Sequence, residues 1–433
     1  MTTVKQGYRV ELAPTLVQRQ RMGQHAGLSR VVENFCLELV KARLDQRQAE
    51  ESYGIAKADL TVVAWSAPAM EAAWRAAHPG RYPWFGEAGL SSRVPKEACR
   101  VRAAGLKNWA ESRRGARKGR RVGFPTWRKR KHGSRLRYDA DRAKPVTATR
   151  VTLPGIGQVR TLEAMTWLTD RLSDGRARII GGTVREQAGR WWISFQLDID
   201  RTDINAARTV GQDAATCGID LGLKTFAVIA DDTGGVEEVQ APRALKASLR
   251  RLRRANKALS RTERGSANRV KARHAVAAVH LTVAGQRTDF LHKLTTRLAR
   301  SKRAIAIESL NVTGMIRNRR LSRAIADAGF GEFVRQLEYK SGWYGSKVWA
   351  ADRWFPSSKT CSACGAINQG LTLSDRTWIC LCGVEHDRDH NAARNLLAAM
   401  HATHSSIVAS QFRGDVKRLW RTCKTPARRG TDL

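Results

Sequence analysis

The sequence predicts an α+β fold that is divided among several domains. Its 433 residues provide enough chain for about two to four domains, each with its own core. In the first half, strand patterns at residues 5–12 and 150–200 flank a long helical stretch. In the second half, two apolar strands that each carry a carboxylate precede a cluster of cysteines.

The first half predicts a small β-barrel with a helical domain inserted into it. Residues 5–12 alternate as a strand does, and Pro14 ends the pattern. Apolar residues recur at helical spacing over residues 15–41, and helical character continues to about Arg113. The expected β-barrel comprises residues 1–13 and 130–208, and the expected helical domain comprises residues 14–129.

Turns and one helix break are predicted within these segments. The Pro- and Trp-rich segment 78–84 should interrupt the helices, because proline lacks the backbone N–H that a helix interior uses. Pro154-Gly155 indicates a turn between strands. Residues 182–197 have the pattern of a hairpin that turns near Ala188-Gly189.

The second half predicts a sheet interleaved with basic helices. Residues 217–230 have the pattern of two strands that turn at Gly222-Leu223. Residues 242–300 are helical in pattern, with a break at Gly265-Ser266, and residues 303–310 form a short buried strand. The expected divisions are one domain of residues 209–356 and 385–403, an inserted segment at 357–384, and a basic, disordered tail at 404–433.

The charge of the chain is unusual for a globular protein. Lysine and arginine total 77 against 39 acidic residues, a formal net charge of +38. A compact body with this charge repels itself unless a polyanion neutralises it, and nucleic acid is the obvious polyanion. The alternative is a solvated basic surface that serves solubility. No apolar run is long enough to span a membrane and the N-terminus lacks a signal-peptide pattern, so we expect a cytoplasmic protein.

Two basic segments are the candidate nucleic-acid-binding regions. Between Arg113 and Arg137, basic residues alternate with Phe124 and Trp127, a pattern typical of a groove that follows a phosphate backbone and stacks bases. A mobile, solvated loop is the alternative interpretation. The candidate contact residues are Arg117, Lys118, Arg120, Arg121, Arg128, Lys129, Arg130 and Lys131, together with Arg250, Arg253 and Arg254 of the second basic segment.

Three carboxylates stand where strands and a helix could bring them together. Asp220 lies in an apolar strand and points away from Ile219 and Leu221, Glu308 ends a second apolar strand, and Asp389 opens a helix. Converging carboxylates bind hard ions such as Mg²⁺ or Mn²⁺, and a pair of such ions can catalyse phosphodiester hydrolysis. Taken singly, each acid has an ordinary alternative: a turn former, a solvated strand end, or a helix cap.

The cysteines predict a structural zinc site. Cys361 and Cys364 form a C-x-x-C pair, and Cys380 and Cys382 form a shorter C-x-C pair. Because the second spacing is tight, His386 is an alternative ligand, and four reduced cysteines without metal are another alternative. The other cysteines, Cys36, Cys99, Cys217 and Cys423, are scattered, which indicates a reducing compartment rather than a disulfide framework.

These motifs together resemble the transposon-associated TnpB family and the related miniature type V CRISPR effectors. The segments that carry the resemblance are GIDLG, AIES, PSSKTCSACG and HDRDHNAARN, which lie between Gly218 and Asn395. The resemblance implies an RNase H-like (RuvC) nuclease domain split by a zinc ribbon, and a β-barrel wedge domain that carries a helical recognition domain. In that family pattern Asp220, Glu308 and Asp389 are the first, second and third catalytic acids.

The resemblance also implies partners and an activity. The partners are a guide RNA and double-stranded target DNA with a short motif beside the target, and the activity is Mg²⁺-dependent DNA cleavage. Two other functions share these features: a guide-directed DNA-binding repressor that does not cut, and a transposase that performs strand transfer. The presence of all three acids argues against the repressor.

Overall fold

The computed structural model of the chain describes residues 3–117, 119–130, 133–140, 142–203, 210–211, 213–372 and 374–407. The predicted tail beyond residue 407 lies outside these ranges. The chain folds as two compact units that meet in sequence between Thr202 and Asp203. Within the described ranges, no helix is both long and apolar enough to cross a membrane.

Helices form one layer of the N-terminal unit. Helix α1 begins after Thr15, whose hydroxyl accepts a hydrogen bond from the Gln18 N–H while the Gln18 side chain accepts one from the Thr15 N–H. This helix continues well past the predicted end at Lys41. The helices of this unit are α1 (Leu16–Ser52), α2 (Ala67–Arg81), α3 (Trp84–Glu87), α4 (Arg93–Arg113) and α5 (Thr166–Ser173).

The predicted helix break at residues 78–84 is shorter than expected. Helix α2 continues through Pro79 to Arg81, and α3 begins at Trp84. Pro79 lies in the last turn of α2, so the N–H group that proline lacks is missing only near the end of the helix. Buried Trp74 stacks on Tyr82 with ring centroids 5.1 Å apart, and this contact holds the end of α2 in place.

A seven-stranded antiparallel sheet forms the second layer of this unit. The strand order is β2-β6-β7-β1-β5-β4-β3. The predicted hairpin is confirmed, since β6 and β7 turn at Ala188 and Gly189, both with positive φ. The strands are β1 (Thr3–Ala13), β2 (Arg135–Asp139), β3 (Lys144–Thr147), β4 (Arg150–Leu153), β5 (Gly157–Thr161), β6 (Ala177–Gln187) and β7 (Arg190–Asp200).

The sheet does not close into the predicted β-barrel. Within the described residues, no strand pairing joins the outermost strands β2 and β3. Strand β3 is short and contains Pro145, next to which its register with β4 shifts. Proline cannot donate a ladder hydrogen bond, so β3 is suited to an edge position.

The C-terminal unit is built on a five-stranded mixed sheet. Its order is β10-β9-β8-β11-β12, in which β8, β9 and β10 are antiparallel neighbours and β11 is parallel to both β8 and β12. The predicted turn at Gly222-Leu223 and the predicted buried strand before Glu308 are confirmed. The strands are β8 (Cys217–Leu221), β9 (Thr225–Asp231), β10 (Val236–Gln240), β11 (Ala304–Ile307) and β12 (Lys347–Ala350).

Helices cover both faces of this sheet. On one face, apolar residues of β8, β9 and β11 pack against α7 and α10, with Phe226 and Phe333 at the centre of the core. On the other face, Ala306 and Val228 pack against α11. The helices are α6 (Ala244–Ser260), α7 (Ala267–Ser301), α8 (Val312–Ile316), α9 (Ser322–Ala328), α10 (Phe330–Tyr344) and α11 (Arg388–Ile407).

A small two-stranded sheet precedes α11. Strands β13 (Thr377–Ile379) and β14 (Glu385–Asp387) pair in antiparallel fashion and carry the second half of the cysteine cluster between them. Strand β14 pairs with β13 and not with the larger sheet, so the two-stranded sheet continues three residues beyond residue 384, the predicted end of the inserted segment.

Helix α11 lies unusually close to strand β8 at Gly218. A Cβ atom at this position would lie 2.1 Å from the carbonyl oxygen of Ala393 and 2.7 Å from the backbone nitrogen of Leu397. Both neighbours are backbone atoms of a regular helix, so neither can move without moving α11. The first glycine of the GIDLG segment is therefore required for helix–strand packing.

We expect Gly218→Ala to lower the free energy of unfolding by about 3 kcal/mol, the upper part of the range for overpacked cores. Urea unfolding measures this change. The matched control is Gly285→Ala in α7, where an added Cβ meets nothing within 4 Å. That control should leave stability unchanged or raise it by up to about 1 kcal/mol, because alanine favours a helix over glycine. Equal stability of Gly218→Ala and wild type would contradict the packing argument.

Candidate functional site

Asp220 and Glu308 lie at the same end of two neighbouring strands. Strands β8 and β11 are parallel, and Ile219 is the register partner of Ile307. The next residue along each strand is a carboxylate, so the two acids leave the sheet side by side. Strand alternation also places Asp220 on the same face as Gly218, which is the face covered by α11.

Asp389 reaches this face from the first turn of α11. Its neighbour Asp387 caps the helix, since one Asp387 oxygen accepts hydrogen bonds from the backbone N–H groups of Asp389 and His390, each at 2.9 Å. The capping role that was one interpretation of Asp389 therefore belongs to Asp387. This leaves the Asp389 carboxylate available for other contacts.

The three carboxylates interact electrostatically. Burial raises the pKa of Asp220 well above its ordinary value, and the negative charges of Glu308 and Asp389 raise it further. Burial also raises the pKa of Glu308, opposed by a hydrogen bond from Ser357 and assisted by the charge of Asp389. The structure therefore brings the three predicted acids into one electrostatically coupled group.

Two arginines lie beside this group, and both form an ion pair with Asp389. Asp389 pairs with Arg376 at 3.3 Å and with Arg388 at 3.5 Å. Within the described part of the chain, Asp220 has no ion pair and no side-chain hydrogen bond. A buried carboxylate without a partner is costly unless a cation neutralises it. The donor set is entirely oxygen, which fits Mg²⁺ or Mn²⁺.

The four predicted cysteines form a closed cluster. The sulfur atoms of Cys361, Cys364, Cys380 and Cys382 lie within 4.8 Å of one another. Of the described residues, only these bring three or more histidine, cysteine or carboxylate ligand atoms so close together. The oxygens of Asp220, Glu308 and Asp389 are therefore more widely spaced than the sulfurs. Four sulfurs at this separation fit a structural Zn²⁺ site.

His386 lies beside the cysteine cluster, next to the sulfur of Cys361. Its Nε2 atom lies 3.0 Å from the Cys361 sulfur, and its ring is buried against Trp378. Although burial opposes it, hydrogen bonds from the backbone N–H groups of Cys364 and Ala363 and from His386 lower the pKa of Cys361 to about 5. These hydrogen bonds favour the thiolate form that binds metal.

The candidate nucleic-acid contacts do not all lie at the surface. Arg128 is buried, and its guanidinium pairs with Glu33 at 2.6 Å, so this residue holds the helical layer together and departs from the prediction. Lys118 and Lys131 lie outside the described residues. Arg117 is half-buried and donates a hydrogen bond to the Arg120 carbonyl oxygen. The exposed candidates are Arg120, Arg121, Lys129, Arg130, Arg250, Arg253 and Arg254.

Sequence reasoning missed several polar residues that support the site. Asn391 and Asn395 of α11 and Ser357 are buried and hydrogen-bonded, and Arg376 reaches Asp389 from the segment before β13. The two asparagines stand four residues apart, a spacing that places them on one face of a helix. That spacing was the available signal, but it does not reveal which chain segment the face contacts.

Family models match most of the chain. Residues 195–319 match a model described as "Probable transposase", residues 330–396 match the "Cas12f1-like, TNB domain", and residues 1–49 match a "Helix-turn-helix domain". The second of these spans the cysteine cluster and Asp389.

Curated relatives and one solved structure extend this similarity. A Mycobacterium tuberculosis protein named "Putative RNA-guided DNA endonuclease Rv2885c" is 36% identical over 409 residues, which cover 90% of this chain and 85% of the relative. A Streptomyces pristinaespiralis protein with the name "Putative RNA-guided DNA endonuclease" is 44% identical over 215 residues, 50% of this chain and 51% of the relative. The cryo-EM structure of a Cas12f1–sgRNA–target DNA complex aligns with a TM-score of 0.50 at 11% identity, covering 92% of this chain and 99% of that chain.

The structural alignment defines an α+β protein of the Cas12-like fold class. The chain belongs to the TnpB family, to which the miniature type V effectors are related.

We expect the isolated protein to contain a single zinc ion, held by the four cysteines. Cys361→Ser and Cys380→Ser should each lose it, whereas His386→Gln should retain it, because the ring contacts a sulfur and lies outside the cluster of four. Elemental analysis of the purified variants measures this. Zinc retained in Cys380→Ser but lost in His386→Gln would show that the histidine is the ligand.

We expect Asp220→Asn to stabilise the metal-free protein, and more at pH 8 than at pH 5. A carboxyl group whose folded-state pKa is raised stabilises the fold below its unfolded pKa of about 3.9, and this contribution is lost as pH rises through the folded value. Asparagine is uncharged at both pH values, so the variant does not lose stability in this way as pH rises. The measurement is the melting temperature in EDTA at both pH values.

Asp232 is the matched control for this experiment. Although burial opposes it, two hydrogen bonds from Thr216 lower the pKa of Asp232. Asp232→Asn should therefore lower the melting temperature at both pH values, because the stabilising contribution of this acid is present above its unfolded pKa. If Asp220→Asn behaved in the same way, the inferred repulsion among the three acids would be wrong.

Proposed function

We propose that this protein is an RNA-guided DNA endonuclease. The observation that carries the proposal is the coupled group of Asp220, Glu308 and Asp389, placed by β8, β11 and α11 on one face of the mixed sheet. The sheet, with three antiparallel strands followed by two parallel ones, supports an RNase H-like (RuvC) assignment for this domain. The names of the curated relatives point to the same activity.

The three acids share one role in the proposed site. Asp220, Glu308 and Asp389 would hold two divalent ions, which supply a nucleophilic water and stabilise the leaving oxygen of the phosphodiester. Burial and mutual repulsion raise the pKa values of Asp220 and Glu308, so bound cations would stabilise their charged forms. Arg376 and Arg388 flank Asp389 and would offer positive charge to a DNA phosphate near the site.

The basic surface supports RNA and DNA as partners. The formal charge of +38 is distributed over both units, and the exposed arginines of α6 (Arg250, Arg253 and Arg254) share one helix. Phosphate contacts of this type are independent of sequence, so target choice would fall to base pairing between guide and DNA. The guide RNA and double-stranded target DNA are the proposed partners.

The proposed domain roles rest on membership of the family. Residues 1–13 and 130–208 would form the wedge domain, with the helices of residues 14–129 as the recognition domain. The mixed sheet with α11 would be the nuclease domain. The Cys₄ hairpin, from residue 357 to Asp387, would be a zinc ribbon inserted before the third acid. Zinc there would stabilise the start of α11, because β14 runs directly into that helix.

The decisive experiment is cleavage of a plasmid by the purified ribonucleoprotein with Mg²⁺. Exchange of the guide segment of the bound RNA should redirect the cut to the new matching site. Asp220→Ala, Glu308→Ala and Asp389→Ala should each reduce cleavage by at least about 10³-fold, since acids that hold shared ions act as a unit. Binding of guide and target should survive in all three variants.

Two controls complete this experiment, and two outcomes would favour the alternative functions. Glu385→Gln changes an exposed acid of β14 close to Asp389 in sequence and should cut at the wild-type rate. Cleavage at the same place and rate by RNA-free protein would refute guide dependence. Strand-transfer products would favour a transposase, and guide-dependent binding without cutting would favour a repressor.

A further inference from the structure

Ser357 joins the cysteine-bearing insertion to the carboxylate group. Its hydroxyl donates a hydrogen bond to Oε1 of Glu308 at 2.5 Å. The side chain is 4% exposed, so this contact takes place away from bulk water. A hydroxyl that donates to one carboxylate oxygen restricts the rotation of the carboxylate and leaves the other oxygen free to bind a cation.

The segment that carries Ser357 is held by two asparagines of α11. The Nδ2 atom of Asn395 donates to the carbonyl oxygens of Ser357 at 2.7 Å and Thr360 at 2.6 Å. Asn391 donates to the same Thr360 oxygen at 2.7 Å and accepts from the Ser362 N–H at 2.9 Å. Both asparagines are at least nine-tenths buried. Because α11 also carries Asp389, one helix positions both the third acid and the partner of the second.

The same segment ends in the cysteine cluster. Cys361 lies between Thr360 and Ser362, the two residues that Asn391 contacts, and its sulfur is 3.0 Å from His386. The five residues from Ser357 to Cys361 therefore connect a carboxylate of the sheet to a cysteine of the insertion. Formation of the cysteine cluster and orientation of Glu308 share one hydrogen-bonded segment.

We propose that Ser357 is a positioning residue that orients Glu308 for divalent-ion binding, and that Asn391 and Asn395 hold it in place. This inference rests on the proposed nuclease function, because it concerns the same carboxylates. It assigns to the insertion a role in ordering the metal site, in addition to any contact with nucleic acid. Outer hydrogen-bonding partners of metal ligands typically contribute about 10–100-fold to metal affinity or activity.

The test compares Ser357→Ala with Ser357→Thr and with Ser358→Ala. Ser358 is the adjacent serine, and its side chain forms no hydrogen bond within the described residues, so its variant is the matched control. Mn²⁺ binding to RNA-free protein is measured by calorimetry, and cleavage is measured over a range of Mg²⁺ concentrations. Ser357→Ala should weaken Mn²⁺ binding about tenfold and raise the Mg²⁺ concentration for half-maximal cleavage by a similar factor. Ser357→Thr should keep the wild-type Mn²⁺ affinity and the wild-type Mg²⁺ dependence of cleavage, because it retains the hydroxyl.

Other outcomes separate this inference from the proposed function. Wild-type metal affinity in Ser357→Ala would overturn the inference. Loss of zinc and a lower melting temperature in that variant, with cleavage that excess Mg²⁺ does not recover, would also overturn it, because the serine would then serve the fold alone. Asn395→Asp, which removes the Nδ2 donor and keeps the shape of the side chain, should also weaken Mn²⁺ binding. If wild-type protein failed to cut DNA while the Mn²⁺ affinities still ranked as expected, the nuclease function would fail and the positioning role would stand.

Discussion

The close contact between α11 and β8 is the constraint on which the arrangement of the three carboxylates depends. At Gly218 the helix backbone approaches so closely that no side chain fits, and the helix covers the sheet face from which Asp220 projects. Because Asp389 lies in the first turn of α11, this packing sets where the third acid stands relative to the first two. A change in this packing would displace the Asp389 carboxylate, because a densely packed interior cannot adjust by small, gradual deformations.

The electrostatics of the site follow from that packing. Covering Asp220 with a helix removes its carboxylate from water and places it near two other acids, so its pKa is raised. The fold alone would be more stable without this group of charges. Retention of such a destabilising cluster is characteristic of sites where function opposes stability, and divalent cations are the natural counter-charge.

The cysteine insertion is coupled to the carboxylates through the same helix. Strand β14 leads into α11, Asp387 caps the helix, and Asn391 and Asn395 hold the segment in which Ser357 contacts Glu308. A metal bound by the cysteines would therefore stabilise both ends of this arrangement. The two sets of donor atoms, the four sulfurs and the carboxylate oxygens, are therefore linked through one helix, although sulfur and oxygen donors prefer different metals.

Local pattern was enough to predict most of the helices, the hairpins and the strand that ends just before Glu308, and it singled out the three acids and the four cysteines. These features depend on periodicity and spacing among near neighbours, which the sequence states directly. Tertiary structure decided what local pattern could not: that Arg128 turns inward to Glu33, that the β3 edge leaves the sheet open, and that His386 lies beside the cysteines. It also decided that Asp387 is the cap, which frees Asp389, and that two asparagines hold Ser357 against Glu308. Each of these depends on which distant segment packs against a residue, and the long-range contacts that settle this are not encoded in the spacing of neighbours along the chain.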